Sequence, residues 1–290
     1  PAGKYELTVT CENATKYFIA TGTFEIKPRT ITKDDVTFGS DLTYTGAPQT
    51  QTVIVAINGT TLTAGMDYTA DPSGVNGETK TSEDSMSLTA PGTYKVTVKG
   101  KGNYAGEVKA TFTVGKASLK NATVGDIAAV NYNGTAKTPE PAVFFNEIKL
   151  TKGTDYELSY KDNTNVGTAT ITITAKADSA YFIDSTEKTF EITAIRMDTN
   201  SEINVDTIPD QVYNAQPLEP AVTVKFGDKT LVKGTDYTVT YANNTNVSGG
   251  TLASATITGI DNFTGEKQAT FKINPANLNL SNKNVTHVYT

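Results

Sequence analysis

The stretch Ala169-Thr170-Ile171-Thr172-Ile173-Thr174-Ala175 alternates strictly between apolar side chains and threonines. A period of two places successive side chains on opposite faces of a β-strand, so one face is expected to meet a core and the other water. The same alternation recurs at 94–98, 156–160 and 237–241, and no stretch shows the 3.6-residue period of an amphipathic helix. The sequence therefore predicts an all-β protein.

Turn dipeptides separate these alternating segments. Asn58-Gly59, Asn76-Gly77 and Asn133-Gly134 are pairs that tight hairpin turns favour. About seven short strands in roughly 80 residues, each with one apolar face to cover, favour an antiparallel β-sandwich of immunoglobulin-like type. The Cys…Trp…Cys spacing of antibody domains is absent, because the chain has one cysteine and no tryptophan.

Three markers recur along the chain in one register. A Gly-x-Asp-Tyr step is centred on Asp67, Asp155 and Asp236, at intervals of 88 and 81 residues (67 to 155 to 236). A Phe-x-Ile/Val pair closes each unit, at Phe24/Ile26, Phe112/Val114, Phe190/Ile192 and Phe271/Ile273. A Tyr-x-Gly/Ala step lies near the start of each unit, at Tyr44, Tyr132 and Tyr213.

This register predicts three tandem immunoglobulin-like repeats in an elongated array. We expect repeats at 28–116, 117–194 and 195–274, the C-terminal half of a preceding repeat at 1–27 and the start of a following repeat at 275–290. The connections between repeats are short, and two of them contain proline, which favours a semi-rigid string. The segment is interpreted as part of a longer array.

Composition excludes several classes of function. With 25 Lys and Arg against 31 Asp and Glu, the net charge of −6 argues against a nucleic-acid-binding protein. The only histidine, His287, lies four residues from the end of the sequence and is expected to be solvated rather than catalytic. Cys11 lies in an alternating run and is expected to be a small core residue. No apolar run reaches the roughly 20 residues of a membrane-spanning helix.

Five phrases carry a resemblance to a known family: 132–139 (YNGTAKTP), 153–156 (GTDY), 160–167 (YKDNTNVG), 102–106 (GNYAG) and 261–265 (DNFTG). Together they resemble the tandem bacterial immunoglobulin-like repeat domains of Gram-positive, gut Firmicutes-type cell-surface proteins. The resemblance implies a secreted or wall-attached protein whose repeats act as a stalk, a spacer or an adhesive surface. It assigns no residue-level function, because such families share a scaffold and not an active site.

Two recurring groups of acidic or amide residues are candidates for chemical sites. The clusters 162–165 (DNTN) and 243–246 (NNTN) lack the ordered acidic spacing of a calcium loop, and we interpret them as turns. The aspartate of each Gly-x-Asp-Tyr step has no fixed partner acid in its repeat, as a glycosidase would need, and is expected to fix a turn before a strand. We therefore predict no catalytic, cofactor-binding or metal-binding residue and no enzymatic activity.

The first repeat carries about 13 extra residues, near 71–86, where insertions on binding faces are common. Four charged side chains of this insertion would suit polar contacts with a partner: Glu78, Lys80, Glu83 and Asp84. The simpler interpretation is a surface loop that the fold tolerates and that has no function.

The predicted function is a non-enzymatic segment of a bacterial cell-surface protein, a semi-rigid spacer or an adhesive repeat array. Its partner would be a host or cell-surface protein or glycan. One alternative is a carbohydrate-binding module of a secreted protein, disfavoured because sugar platforms prefer tryptophan. Another is a surface filament in which a neighbouring chain completes the half-repeat at 1–27 by strand addition, giving head-to-tail self-association.

Overall fold

The computed structural model describes residues 1–13, 16–73 and 88–277. In this part of the chain, helical structure is limited to two three-residue 3-10 turns, Lys33–Asp35 and Leu119–Asn121. Everything else that is regular is β-strand, as the alternating segments predict.

The chain begins with a hairpin of β1 (Gly3–Asn13) and β2 (Lys16–Ile26), which are antiparallel in one register from Gly3 opposite Ile26. Among the described residues these two strands pair only with each other, and apolar side chains of the hairpin such as Leu7, Val9 and Phe18 are more than half exposed. The prediction of a core position for Cys11 is therefore wrong, because its side chain is exposed on this hairpin.

The first predicted repeat continues with short and long strands in the following order: β3 (Arg29–Thr30), β4 (Val36–Phe38), β5 (Leu42–Thr43), β6 (Val53–Ile57), β7 (Thr60–Thr61), β8 (Tyr68–Ser73), β9 (Gly92–Gly100), β10 (Tyr104–Ala105) and β11 (Glu107–Gly115).

The second predicted repeat has the same order: β12 (Ala117–Ser118), β13 (Thr123–Val124), β14 (Val130–Asn131), β15 (Val143–Phe145), β16 (Ile148–Lys149), β17 (Tyr156–Lys161), β18 (Gly167–Ala175), β19 (Phe182–Ile183) and β20 (Ser185–Thr193). The third has the same order, with the last strand divided in two: β21 (Ile195–Arg196), β22 (Ile203–Val205), β23 (Gln211–Val212), β24 (Val224–Phe226), β25 (Lys229–Thr230), β26 (Tyr237–Ala242), β27 (Ala253–Gly259), β28 (Phe263–Thr264), β29 (Glu266–Phe271) and β30 (Ile273–Asn274).

Each repeat uses these strands in the same topology. A three-stranded sheet has the order β4-β6-β7, β13-β15-β16 or β22-β24-β25. The long strands form a second sheet, ordered β5-β11-β9-β8 in the first repeat and β14-β20-β18-β17 in the second. In the third repeat this sheet is assigned in two parts, β26-β27-β29 and β23-β30. The all-β, immunoglobulin-like sandwich architecture is thus confirmed, with one refinement.

The refinement is that short parallel pairs join the first strands of each repeat to its last ones. In the second repeat, β12 pairs in parallel with β19, and β14 with β20. The third repeat pairs β21 with β28, and β23 with β30, in the same way. The alternating pattern alone predicted antiparallel sheets, because two-residue strands carry too little periodicity to show their direction.

The core of each sandwich lies between its two sheets. In the first repeat, Val55 from the three-stranded sheet and Val96 and Val98 from the second sheet belong to one buried cluster. The equivalent apolar positions of the quoted stretch, Ile171 and Ile173, have no exposed surface. Alternation therefore buries one face of this strand, while the intervening Thr170 and Thr172 stay half-buried on the other.

Two compact units divide the chain. One consists of 1–125, 141–159 and 172–187, and the other of 126–140, 160–171 and the residues from 188 onward. The middle repeat contributes to both units, so the repeat boundaries at 116 and 194 stay predictions. Each unit contains a complete connection between two neighbouring repeats.

Candidate functional site

The Gly-x-Asp-Tyr step forms the same turn in all three repeats. The aspartate Oδ2 accepts a hydrogen bond from the backbone N–H four residues earlier, at 2.9 Å for Asp67, 2.7 Å for Asp155 and 2.8 Å for Asp236. Its own N–H donates to the carbonyl of that same residue, at 2.8 Å in each case. Glycine is needed because φ lies between +80° and +89° at this step. These bonds confirm that the aspartate fixes a turn before a strand.

Each of these aspartates is thus bonded within its own turn. Within 1–13, 16–73 and 88–277, no group of three or more His, Cys, Asp or Glu side chains could hold a metal ion. In the same residues, no helix has the length and apolar character needed to cross a bilayer.

The two Asn-rich clusters tie loops to the strand edges. In the second repeat, Asn163 Nδ2 donates to the Lys137 carbonyl at 2.8 Å, and the Lys137 N–H returns a bond to the Asn163 carbonyl at 2.7 Å. Asn244 and Leu218 make the same reciprocal pair in the third repeat, at 3.0 and 2.8 Å. The first residue of each cluster has a left-handed backbone, which Asp and Asn tolerate. The turn interpretation of these clusters is confirmed.

The tyrosine of the Tyr-x-Gly step lies at the connection between repeats. We call the connection between 28–116 and 117–194 joint B. There the Tyr44 ring contacts Tyr181 at 4.8 Å between centroids and meets Phe182 edge-on at 5.7 Å and 81°. It also stacks against Phe145 at 6.3 Å and 13°. Such distances and tilts are typical of favourable aromatic pairs.

The glycine of this step brings the two repeats close together at joint B. Gly46 has a φ of +83°, and a Cβ built on it would overlap Cδ1 of Ile148 in the next repeat. Asn146 Nδ2 donates to the Thr45 carbonyl at 3.0 Å across the same joint. The Tyr44-Thr45-Gly46 turn, which the sequence shows only as a repeat marker, therefore packs directly against the next repeat.

The connection between 117–194 and 195–274, which we call joint C, repeats this contact. Tyr132 meets Phe263 edge-on at 5.8 Å and 80°, nearly the geometry of Tyr44 on Phe182. Phe182 and Phe263 occupy equivalent places, since each begins the strand that pairs in parallel with the opening strand of its repeat. Tyr213, the third member of the marker, is 36% exposed.

Burial at joint B also changes the chemistry of Tyr44. Loss of hydration raises the pKa of its hydroxyl above the ordinary tyrosine value, and the nearby Tyr181 and Asp155 side chains raise the pKa further. The raised pKa is the expected effect of partly removing the hydroxyl from water and placing it near a carboxylate.

Several predicted positions have no structural description. His287 and the charged residues of the insertion, Glu78, Lys80, Glu83 and Asp84, lie outside the described residues. The spacing of the joint tyrosines in the sequence indicates a repeat, but it does not indicate that they contact the next repeat. What distinguishes them is that the glycine or alanine after each has a left-handed φ, at Gly46, Gly134 and Ala215.

The sheets and joints define a chain of tandem immunoglobulin-like β-sandwiches. No protein-family model matches the sequence, and no curated protein matches it. Among solved structures, the chain is similar to a protocadherin gammaB7 EC3-6 cis-dimer structure, at 12% identity over 83% of this chain and 73% of that chain, with a TM-score of 0.20. The immunoglobulin-like fold follows from the strands and sheets described above.

Proposed function

We propose that the chain is a non-enzymatic segment of a bacterial cell-surface protein that acts as a semi-rigid spacer or an adhesive repeat array. The observation that carries the proposal is the recurrence of one joint: Tyr44 on Phe182 and Tyr132 on Phe263 agree to within 0.1 Å and 1° (5.7 Å and 81°; 5.8 Å and 80°). Repeats that meet through the same packed contact hold a reproducible orientation. A flexible linker would make no such contact.

The absence of enzymatic activity is part of this proposal. Its support is that the recurring aspartates, the best candidates for catalytic carboxylates, already accept hydrogen bonds from their own turns. We also propose an extracellular location. A spacer that separates two points suits the cell surface, and the sequence resembles bacterial surface repeats.

Small-angle X-ray scattering tests the spacer directly. A compact globule of this length would have a radius of gyration of about 19 Å. We expect a clearly larger value, with a pair-distance distribution skewed toward long distances. A radius near that of the compact globule would contradict the proposal.

A second candidate function, strand-complemented self-association, is favoured by the open hairpin of β1 and β2. Leu7 and Phe24 are 55% and 49% exposed there, whereas Val96 and Phe112, at the equivalent places in the first repeat, are 0% and 8% exposed. An uncovered apolar face with free strand edges is a template for another strand.

This second candidate predicts oligomers that grow with protein concentration in analytical ultracentrifugation and disappear when residues 1–27 are deleted. A chain that stays monomeric at high concentration with the hairpin present would argue against it. The variant Leu7→Ser/Phe24→Ser provides a control that keeps the length but removes the apolar face.

A further inference from the structure

A backbone hydrogen bond identifies one position at the start of every repeat. The N–H of Arg29 donates to the Asn103 carbonyl at 2.9 Å, that of Ala117 to Tyr181 at 2.8 Å, and that of Ile195 to Asn262 at 3.0 Å. Asn103, Tyr181 and Asn262 are thus equivalent, and each directly precedes the aromatic residue Tyr104, Phe182 or Phe263. We call this the pre-aromatic position.

A second position lies at the far end of the preceding repeat. The strands β1, β9 and β18 each begin at a glycine, Gly3, Gly92 or Gly167, with φ of 131° to 153°. The residues directly before these glycines are Ala2, Pro91 and Val166. We call this the pre-glycine position, and it faces a joint in the two cases where a contact is recorded.

Those two contacts are the same hydrogen bond. At the connection between 1–27 and 28–116, which we call joint A, the Ala2 N–H donates to Asn103 Oδ1 at 2.6 Å. At joint C the Val166 N–H donates to Asn262 Oδ1 at 2.9 Å. Asn262 Nδ2 also donates to Asn165 Oδ1 at 3.3 Å. In both joints an asparagine of the following repeat therefore binds the backbone at the end of the preceding one.

Joint B differs at both positions together. Its pre-glycine residue is Pro91, which has no N–H to donate. Its pre-aromatic residue is Tyr181, which has no carbonyl or amide in its side chain and instead packs on Tyr44 at 4.8 Å between ring centroids. If Tyr181 were an asparagine, its side-chain oxygen would find no N–H at Pro91 to accept from. If Val166 were a proline, the side-chain oxygen of Asn262 would lose the N–H that it accepts from in joint C.

We propose that these two positions form a matching rule between neighbouring repeats: a pre-glycine residue with an N–H fits a following repeat that carries a pre-aromatic asparagine, and a pre-glycine proline fits one that carries a pre-aromatic tyrosine. The partner surface at each joint is thus a repeat of the matching type. The inference rests on the proposed spacer function and deepens it, because the match is what fixes the angle of each joint.

The physical reason is that the two contacts restrict the joint in different ways. A hydrogen bond to a side-chain oxygen weakens steeply when its angle or distance changes, so it fixes both tilt and rotation. A tyrosine pair without this bond obtains its restraint from ring packing. A mismatched joint loses its polar bond or its packing, although it keeps the Tyr-to-Phe contact common to joints B and C.

Distances between two spin labels across joint C, measured by double electron–electron resonance, provide the test. Cys11→Ser removes the exposed native thiol, and Thr189→Cys with Thr270→Cys places one spin label on each repeat. Both threonines are exposed and lie at equivalent places on β20 and β29. The labelled chain with an intact joint is expected to give a single narrow distance peak.

Three further variants then separate the contacts. Asn262→Ala is expected to abolish the narrow peak, whereas Asn262→Asp, which keeps an acceptor oxygen, is expected to retain it. Val166→Pro alone should also abolish the peak. The pair Val166→Pro/Asn262→Tyr, which copies joint B, should restore a narrow peak.

Each outcome bears on the rule or on the spacer. A narrow peak that persists in Asn262→Ala, or a double variant as broad as Val166→Pro, would overturn the matching rule and leave the spacer intact. A broad distribution in the labelled chain with an intact joint would overturn both. Far-UV circular dichroism of every variant checks that the sheets are retained, and Asn262→Ala, which truncates a partly exposed side chain, carries the test if the proline variants fail to fold.

Discussion

Gly46→Ala is expected to weaken joint B specifically, and Gly134→Ala at the equivalent place in the second repeat supplies its control. Both glycines have a left-handed backbone, at φ of +83° and +80°, so both substitutions carry the cost of an L-residue there, about 1–2 kcal/mol. Ala215 occupies this position naturally at +62°, which indicates that alanine can be accommodated.

The difference between the two variants comes from one contact. A Cβ on Gly46 would overlap Cδ1 of Ile148, whereas on Gly134 it would have only Tyr132 Oη nearby, at 3.8 Å. Ile148 is 39% exposed and meets this Cβ with the end of its side chain, so relief requires at most holding it off its preferred rotamer, which costs about 0.5–1.5 kcal/mol. When the joint opens and closes faster than its amides exchange, that cost corresponds to roughly two- to thirteenfold faster exchange of the amides that the joint protects.

Hydrogen exchange measured by mass spectrometry on peptides covering 42–50 and 143–150 would show this difference. Exchange in both peptides should accelerate in Gly46→Ala, but the equivalent peptides at joint C should respond less to Gly134→Ala. The second substitution Ile148→Ala, which removes the overlapping atom, should return the Gly46→Ala chain to the level of the control. Equal acceleration in the two glycine variants would refute the assignment of Gly46 to a joint surface.

Three further predictions concern the stability of the sandwiches. Ile171→Ala empties a site with no exposed surface and should cost about 2–5 kcal/mol in urea unfolding followed by circular dichroism, against about 0.5–1.5 kcal/mol for Ile171→Val; equal losses would contradict the core assignment. Asp236→Ala leaves the Val232 N–H without its acceptor and should destabilise the turn by about 1–3 kcal/mol, seen as local hydrogen exchange, while Asp236→Asn should lose less. Burial raises the pKa of Tyr68 and Tyr94, so the folded protein favours their neutral hydroxyls. The thermal unfolding midpoint should therefore be constant below about pH 10, the ordinary tyrosine pKa, and should fall as pH rises through the raised pKa of the folded state. Tyr94→Phe should reduce the alkaline loss, and an unchanged pH profile in that variant would count against its buried hydroxyl.

The fold was predictable because it rests on signals that the sequence expresses locally. Alternation over 169–175 identifies a half-buried strand, and the glycine and aspartate of Gly153-Thr154-Asp155-Tyr156 identify the turn before the preceding strand, Tyr156–Lys161. Recurrence of both in one register identified tandem sandwiches. These signals require only a few neighbouring residues each, so no knowledge of long-range packing was needed.

The joints were not predictable in the same way, because packing between repeats leaves no period in the sequence. In the sequence Tyr44 and Tyr132 are members of a repeat marker and nothing more, and their contacts with Phe182 and Phe263 depend on how two repeats pack together. The prediction that Cys11 is a core residue is wrong for a related reason. Alternation specifies the two faces of a strand, but it does not specify whether another sheet covers either face.

The short parallel pairs at the edge of each sandwich have a consequence for tension along the chain. In the second repeat, the opening strand Ala117–Ser118 and the early strand Val130–Asn131 run parallel to strands near the end of the same repeat. A force that pulls the two ends of the repeat apart moves parallel partners in opposite directions along their length. Their hydrogen bonds are then loaded together in shear and must break at the same time, instead of opening one after another like a zip. A spacer of the kind proposed above would gain resistance to pulling from these short parallel pairs.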